Sequence, residues 1–246
     1  MIGAIRTVAW KEWKALSDQA GVRGFGGISM LIAIGLVMGV VMPWIAGPGF
    51  LSSPLILFLY PFMGISAASS PIVDSFAGEK ERRTLETLLA GPLDDRSILL
   101  GKMWVGFAAG VATAGALALC AVLTLNVREW GAGVVLPPLW AIVGVTLMTL
   151  AAVGFVCTAG ILASMRCSTV RQAGQRFGYF MFGVFMIPVA VTVLVPESVR
   201  AFAREWVPRQ DPVVLVGSVA GALVALDLIC FRLAFRAFRR GRLAVD

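Results

Sequence analysis

The sequence contains no histidine. The commonest general acid/base and the commonest metal ligand are therefore absent, and no Ser–His or Cys–His nucleophilic pair can form. The four cysteines, Cys120, Cys157, Cys167 and Cys230, make no C-x-x-C pair. Three of them lie in or at the edge of apolar runs and read as small buried hydrophobes. A phosphate-cradling loop needs G-x-x-x-x-G-K-[ST]. The one Gly-Lys pair, Gly101-Lys102, is followed by Met103, and Arg96 stands where the first glycine should be. The chain is thus not expected to hydrolyse ATP or to be an enzyme by itself, and no metal or cofactor is expected in it.

Two groups of residues could still do something specific. The first is the stretch GEKERRTLETLLAGP from Gly78 to Pro92. Glu79–Arg83 and Arg82–Glu86 put opposite charges four residues apart, which supports a helix. Leu85, Leu88 and Leu89 form one apolar stripe, and Gly91-Pro92 ends the helix. Such a stripe needs cover from the membrane surface, from the chain itself or from a partner's groove; a solvated loop helix is the plainer alternative. The second is Asp227, the one acid well inside an apolar run. A carboxylate at mid-bilayer costs roughly 2.5–3.5 kcal/mol on insertion scales, so it should face protein or water. Pairing with Lys102 or with an arginine of the C-terminal tail is the expected arrangement. A proton or substrate site is the sharper alternative.

The elements that must position these residues are membrane helices. Of the 246 residues 59% are hydrophobic and 14% charged, against about half and a quarter in soluble domains. Apolar runs long enough to span a bilayer occupy residues 25–46, 51–73, 97–127, 136–165, 178–195 and 212–231. The third and fourth exceed the ~20 residues a bilayer needs, and should tilt or project into the cytosol. The first is too long for a signal peptide and lacks a cleavage site soon after it.

Charge sets the orientation. Arg6, Lys11, Lys14 and Arg23 precede the first span. Lys80, Arg82, Arg83, Arg96 and Lys102 flank or lie in the 74–96 loop. Arg166, Arg171 and Arg176 follow the fourth span, and Arg232, Arg236, Arg239, Arg240 and Arg242 lie in the 232–246 tail. Only Arg128, Arg200, Arg204 and Arg209 fall on the other side. The positive-inside rule places both termini in the cytoplasm, and an even number of spans, which puts both ends on one side, agrees with that. The net charge of +7 is spread over short segments between spans, which suits an anionic inner leaflet rather than a nucleic acid.

Residues 1–24 contain a further element. Ile2, Ile5, Ala9, Trp13 and Leu16 recur at helical spacing, with Arg6, Lys11 and Lys14 on other faces. This pattern suits an amphipathic helix lying in the cytoplasmic interface; packing on the chain itself is the alternative. Pro196 to Pro212 reads as a short external amphipathic helix carrying Phe202 and Trp206. Small residues recur every four positions at Gly35/Gly39, Gly106/Gly110/Ala114/Ala118 and Gly217/Gly221/Ala225. They permit close helix approach, either as ordinary packing or as a dimer seam. Pro61 and Pro188 fall inside spans, as static kinks or as hinges.

The run Glu79-x-Glu81-x-x-Thr84-Leu85-Glu86-x-Leu88-Leu89-x-x-Pro92, followed by Gly101-Lys102, resembles the signature loop of ABC-2 type permeases. These are the membrane subunits of ATP-binding-cassette exporters. The family's loop typically reads E-x-E-x-G-T-L-E-x-L-L, then proline, then G-K at the head of the third helix. The six-span plan, internal termini and N-terminal amphipathic helix are also similar, so the resemblance covers the whole chain, residues 1–246, as one transmembrane domain. Arg83 departs from the usual glycine, which puts a bend there in doubt, and Asp94-Asp95 replaces a small hydroxyl residue.

The resemblance implies an all-α integral membrane fold of six helices with a cytosolic coupling helix between the second and third. Glu79, Glu81, Arg82, Thr84, Leu85, Glu86, Leu88, Leu89 and Pro92 would form the surface that seats in a separate ATPase. Gly101 and Lys102 would mark the cytosolic mouth of the third helix, with the lysine amine in water. The implied partners are two copies of a cytosolic ABC ATPase, which binds the ATP and Mg, a second permease copy or a homologous one, and membrane lipid. For the dimer seam the resemblance points to the first and fifth helices, and so to Gly35/Gly39.

The expected function is half of an ABC exporter that moves an unknown substrate across the membrane or extracts it from the bilayer. A proton-coupled secondary transporter using Asp227 is one alternative, and a non-transporting anchor or force transmitter of an ATPase complex is another. Arginine outnumbers lysine, a hint of a GC-rich bacterial genome, and the expected location is a bacterial or archaeal plasma membrane.

Overall fold

The computed structural model describes residues 3, 6–14, 32–90, 94–131, 133–194, 197 and 212–237, and among them it is helical with no strand. In chain order the helices are α1 (residues 6–14), α2 (Ile32–Ala46) and α3 (Ile56–Glu81). Then come α4 (Leu85–Ala90), α5 (Asp95–Arg128), α6 (Leu139–Met165), α7 (Val170–Leu194) and α8 (Pro212–Ala237). Among the described residues, four helices are long and apolar enough to cross a bilayer: α3, α5, α6 and, within α8, Val216–Arg236. The described part of the first expected span, α2, is shorter. Residues 25–31, the segment 198–211, Pro92 and the residues beyond Ala237 lie outside the described residues, as do the side chains of Leu88, Leu89 and Pro188.

Apolar runs and helices do not share boundaries. The second run ends at Val73, but α3 continues to Glu81. The fifth begins at Gly178, but α7 starts at Val170. Hydropathy marks what lipid can cover, whereas the backbone ladder continues into water wherever residues such as Lys80, Glu81, Arg171 and Gln172 carry it. Pro61 and Pro71 both sit inside α3 without ending it. Near Pro71 the Ser66 and Ser69 hydroxyls donate to the Phe62 and Ser66 carbonyls. The helix expected across 79–89 is broken. It stops at Arg82, turns through Arg83 at φ 55°, and resumes at Leu85. Favourable i,i+4 pairs of a few tenths of a kcal/mol do not outweigh the packing that fixes the turn.

Helix α6 lies at the centre, along α3 and α8, and α3 in turn packs along α5. Close approach depends on glycine. A Cβ on Gly64 would meet the Gly110 carbonyl oxygen at 2.9 Å, and one on Gly110 would meet the Gly64 oxygen at 2.7 Å. The backbones of α3 and α5 therefore touch there, with Val153 of α6 beside them. Ile72 fills a notch between Gly106 and Gly160, where an added Cβ would lie 2.5 and 2.4 Å from its side chain. Side-chain hydroxyls add polar stitches. Buried Ser164 of α6 donates to the Val73 carbonyl and lies 3.1 and 3.0 Å from the Phe76 and Ala77 amides.

The small-residue stripes divide. Gly106, Gly110 and Ala114 are internal packing. So are Gly35 and Gly39, which face Leu117 and Cys120 of α5, so that stripe is covered by the chain's own helix and not left for a second copy. The Gly39 carbonyl lies in a π-helical turn, Val37–Val41, and its i+4 residue, Pro43, has no N–H; it accepts from the Thr124 hydroxyl at 3.2 Å. Nothing lies within 4 Å of an added Cβ at Gly217 or Gly221. Gly110→Ala is expected to lower stability in detergent by about 1–3 kcal/mol, the cost of overpacking. Gly217→Ala should leave the melting curve unchanged or raise it slightly.

Candidate functional site

The candidate site is the C-terminal end of α3, the turn after it, and what they touch. At its heart is Lys102, two turns into α5. Its side chain is wholly buried. The amine lies 2.7 Å from Glu12 Oε1 of α1 and 3.1 Å from Glu79 Oε1 of α3. It also donates to the Ser75 carbonyl at 2.8 Å, and the Phe76 ring centre lies 5.2 Å away. The expectation of an amine in water is therefore corrected. The stem is too deep between α3 and α5 to snorkel out, and the charge is met by carboxylates instead. A buried ammonium is sustained only by such pairing.

Glu79 Oε1 forms an ion pair with Lys102 and accepts a hydrogen bond from Lys11 of α1, at 3.3 Å. Its other oxygen is buried with no hydrogen-bond partner among the described residues. Beside it lies a cavity of about 220 Å³, also lined by Asp74, Arg82 and Thr84. Helix α1 is thus tied to the membrane domain by Glu12 and Lys11. Its buried face is Val8, with Ala9 and Glu12 half-buried, whereas Trp10 and Trp13 stay exposed. The packed face is therefore rotated from the Ala9–Trp13 stripe that periodicity suggests. Glu12 is the single acid among residues 2–17, a misfit on a basic interfacial helix and the one signal that pointed to a buried cation.

The next residues secure neighbouring helix ends. Lys80 donates to the Met165 carbonyl at the C-terminus of α6, at 3.1 Å. Glu81 Oε2 accepts the Val170 amide at the start of α7, at 2.8 Å. A cation at a helix C-terminus and an anion at an N-terminus each meet the favourable end of a helix dipole. Arg82 pairs at 3.2 Å with Asp74, about two turns earlier on α3. The Thr84 amide bonds the Glu79 carbonyl at 2.9 Å and closes the turn around Arg83. Leu85 is buried in the core formed by Phe76, Ile98, Leu99 and Met165.

The proposed coupling residues thus separate by environment. Glu79 and Leu85 point into the protein, and Glu81 and Arg82, though exposed, are engaged by Val170 and Asp74. Arg83, Thr84, Glu86 and Thr87 are exposed. Sequence reasoning singled out Glu79, Glu81, Arg82 and Lys102 but missed their respective partners Lys11, Val170, Asp74 and Glu12. Gly101 is buried on α5 beside Lys102.

Asp227 is remote from this cluster. Its Oδ1 lies 2.8 Å from the Thr158 hydroxyl of α6. Gly154 leaves room for the other oxygen, which would sit 2.9 Å from an added Cβ there. The expected pairing with Lys102 is corrected: Lys102 is engaged by Glu12 and Glu79, and Asp227 joins α8 to α6 through a hydroxyl. Among the described residues no cluster of three or more His, Cys, Asp or Glu is placed to hold a metal.

Removing one partner of a buried ion pair leaves the other charge uncompensated. Glu79→Leu is expected to destabilise the protein by about 3–5 kcal/mol. Lys102→Met added to Glu79→Leu should recover much of that loss. Denaturation of the two variants in detergent checks both outcomes, and equal loss in the single and double variants would contradict the pairing.

A family model described as ABC-2 family transporter protein matches residues 11–240. No curated protein matches the chain. The matched stretch begins at Lys11 in the ion cluster and extends past α8. With that coverage of an all-helical membrane domain, the chain belongs to the ABC-2 transporter family and is a permease component of an ABC transporter.

Proposed function

We propose that this permease is half of an exporter whose ATP hydrolysis is supplied by two copies of a separate cytosolic ATPase. The observation that carries this reading is the short helix α4. It is set off from α3 by the Arg82–Thr84 turn and anchored inward by Leu85, while Arg83, Glu86 and Thr87 face outward. A segment anchored on one side and bare on the other can pass force from a docked partner to α3 without folding away. The same turn is joined to α5 through Glu79 and Lys102, and to α6 and α7 through Lys80 and Glu81. A push on it is therefore shared by four helices and by α1.

In this reading there are six spans, with α2 and α7 completing the four that meet the length and hydropathy requirement. Both termini, α1 and α4 lie in the cytoplasm, as the positive-inside distribution favours. A second permease copy or a homologue completes the pathway, and two ATPase subunits bind the ATP and Mg. Pro92 and the Leu88/Leu89 edge belong to the same docking element. Asp227 serves helix packing, since one carboxylate held by a threonine hydroxyl and a glycine notch offers no onward proton relay among the described residues. The substrate is taken up or extracted at the membrane and exported.

The test is purification of the tagged full chain from its native membranes. A nucleotide-hydrolysing subunit should accompany it, with vanadate-sensitive ATPase activity. Glu86→Lys combined with Thr87→Trp should reduce recovery of that subunit about tenfold, with the melting temperature of the permease unchanged. Absence of any ATPase from the native assembly, or full recovery with the double variant, would count against the proposal.

A further inference from the structure

A groove of about 520 Å³ is formed by α6, α7 and α8. Two arginines line it, Arg166 at the C-terminal cap of α6 and Arg236 in the last turn of α8. The rest of the lining is apolar, with Leu162 of α6, Phe180 of α7 and Leu233 of α8 along it. The ends of α6 and α8 lie together, since Met165 and Ala234 share one buried core. Lys80 caps the same end of α6, so the arginines stand on the side of the ion cluster. The lining reaches back to Ala159 on α6 and to Cys230 on α8, about 10 Å from each arginine at 1.5 Å per residue. The groove is thus charged at its end and greasy below it. Phe180 and Leu233 are 43% and 49% exposed, so the greasy part is open to lipid.

These two charges differ from those of the ion cluster. Lys102 and Arg82 are met by carboxylates of the chain, whereas neither Arg166 nor Arg236 forms an ion pair among the described residues. A third arginine, Arg176 of α7, donates to the Arg166 carbonyl at 3.3 Å, which adds a cation at the same place. No acidic residue lines the groove. Like charges gathered in this way create a positive potential that draws an anion. Both Arg166 and Arg236 are exposed, so a group from outside can reach them. The planar guanidinium fork matches a phosphate, and the arginine stems can lie along the apolar wall with their heads at the interface. A soluble anion would leave the apolar part uncovered, and a plain acyl chain would leave the arginines unmatched. The occupant that answers both has an anionic phosphate joined to an acyl chain.

We infer that this groove is a site for an anionic phospholipid, with its phosphate held by Arg166 and Arg236 and one acyl chain lying along Leu162, Phe180 and Leu233. The lipid belongs to the leaflet on the side of the ion cluster. It joins α7 to α8, both of which pack on α6. The assignment does not depend on ATPase coupling, and holds or fails on lipid contact alone.

The test uses the full chain in phosphatidylcholine vesicles, doped in turn with a phosphatidylglycerol and a phosphatidylcholine probe that share one diazirine-bearing acyl chain. After illumination, adducts are mapped by peptide mass spectrometry. On residues 159–163 and 230–233 the phosphatidylglycerol probe should label about tenfold or more above the phosphatidylcholine probe. Arg166→Gln and Arg236→Gln should each lower that labelling about fivefold, the worth of one basic side chain beside an anionic lipid. The double variant should fall to the phosphatidylcholine level. Labelling of residues 104–108 of α5, at the same end of the domain, should not change. Inorganic phosphate should compete no better than chloride at equal ionic strength. Should a variant fold poorly, the comparison of the two probes on the wild type decides the matter. Equal labelling by the two probes would overturn the assignment, as would a loss that spreads to residues 104–108. Stronger competition by phosphate than by chloride would also overturn it, and would make the occupant a soluble anion.

Discussion

A lysine amine with no access to water must be surrounded by what water would have supplied. Lys102 meets that demand with two carboxylates, a backbone carbonyl and an aromatic face drawn from α1 and α3. The requirement fixes more than the lysine. Glu79 is held inward, which sets the rotation of the last turn of α3. Glu12 must reach the amine, which sets the face on which α1 docks. With α3 ending in that orientation, Lys80 falls at the C-terminus of α6 and Glu81 at the N-terminus of α7. Three consecutive charged residues thus point three ways, each to an opposite charge or a helix end of the right sign.

This arrangement accounts for the break before α4. To satisfy the Thr84 amide with the Glu79 carbonyl and still bury Leu85, the chain must turn at Arg83. It does so in the left-handed region, which costs a non-glycine residue roughly 1–2 kcal/mol. The turn is made at Arg83, where the similar loop motif usually has glycine, because the contacts on both sides over-determine it. Leucine inside and charge outside then give α4 one buried and one exposed side.

The membrane character was legible from apolar run lengths, and the match to the ABC-2 family agrees with the signature loop. The importance of Glu79, Glu81 and Lys102 was also visible, but their roles were not. Lys102 and Glu12 are 90 residues apart, and no local periodicity encodes such a pairing. Exposure was inferred from charge, yet a charge can be buried when its counter-charge arrives from a distant helix. The stripe at Gly35/Gly39 and the one at Gly217/Gly221 look alike in sequence. Only the packing shows that Leu117 and Cys120 cover the first. Asp227 likewise reads as a lone charge seeking a cation until Thr158 and Gly154 are seen opposite it.

The most direct probe of this account is the reactivity of the lysines. The chain has four, at positions 11, 14, 80 and 102, so each can be followed by peptide mass spectrometry after brief exposure to a water-soluble acylating reagent. Lys14 should react fast and Lys102 should remain unmodified over the same interval, becoming reactive when Glu12→Gln loosens α1. If Lys102 is acylated as quickly as Lys14 in the intact protein, its amine sits in water, and the cluster that orients the α3 terminus does not exist.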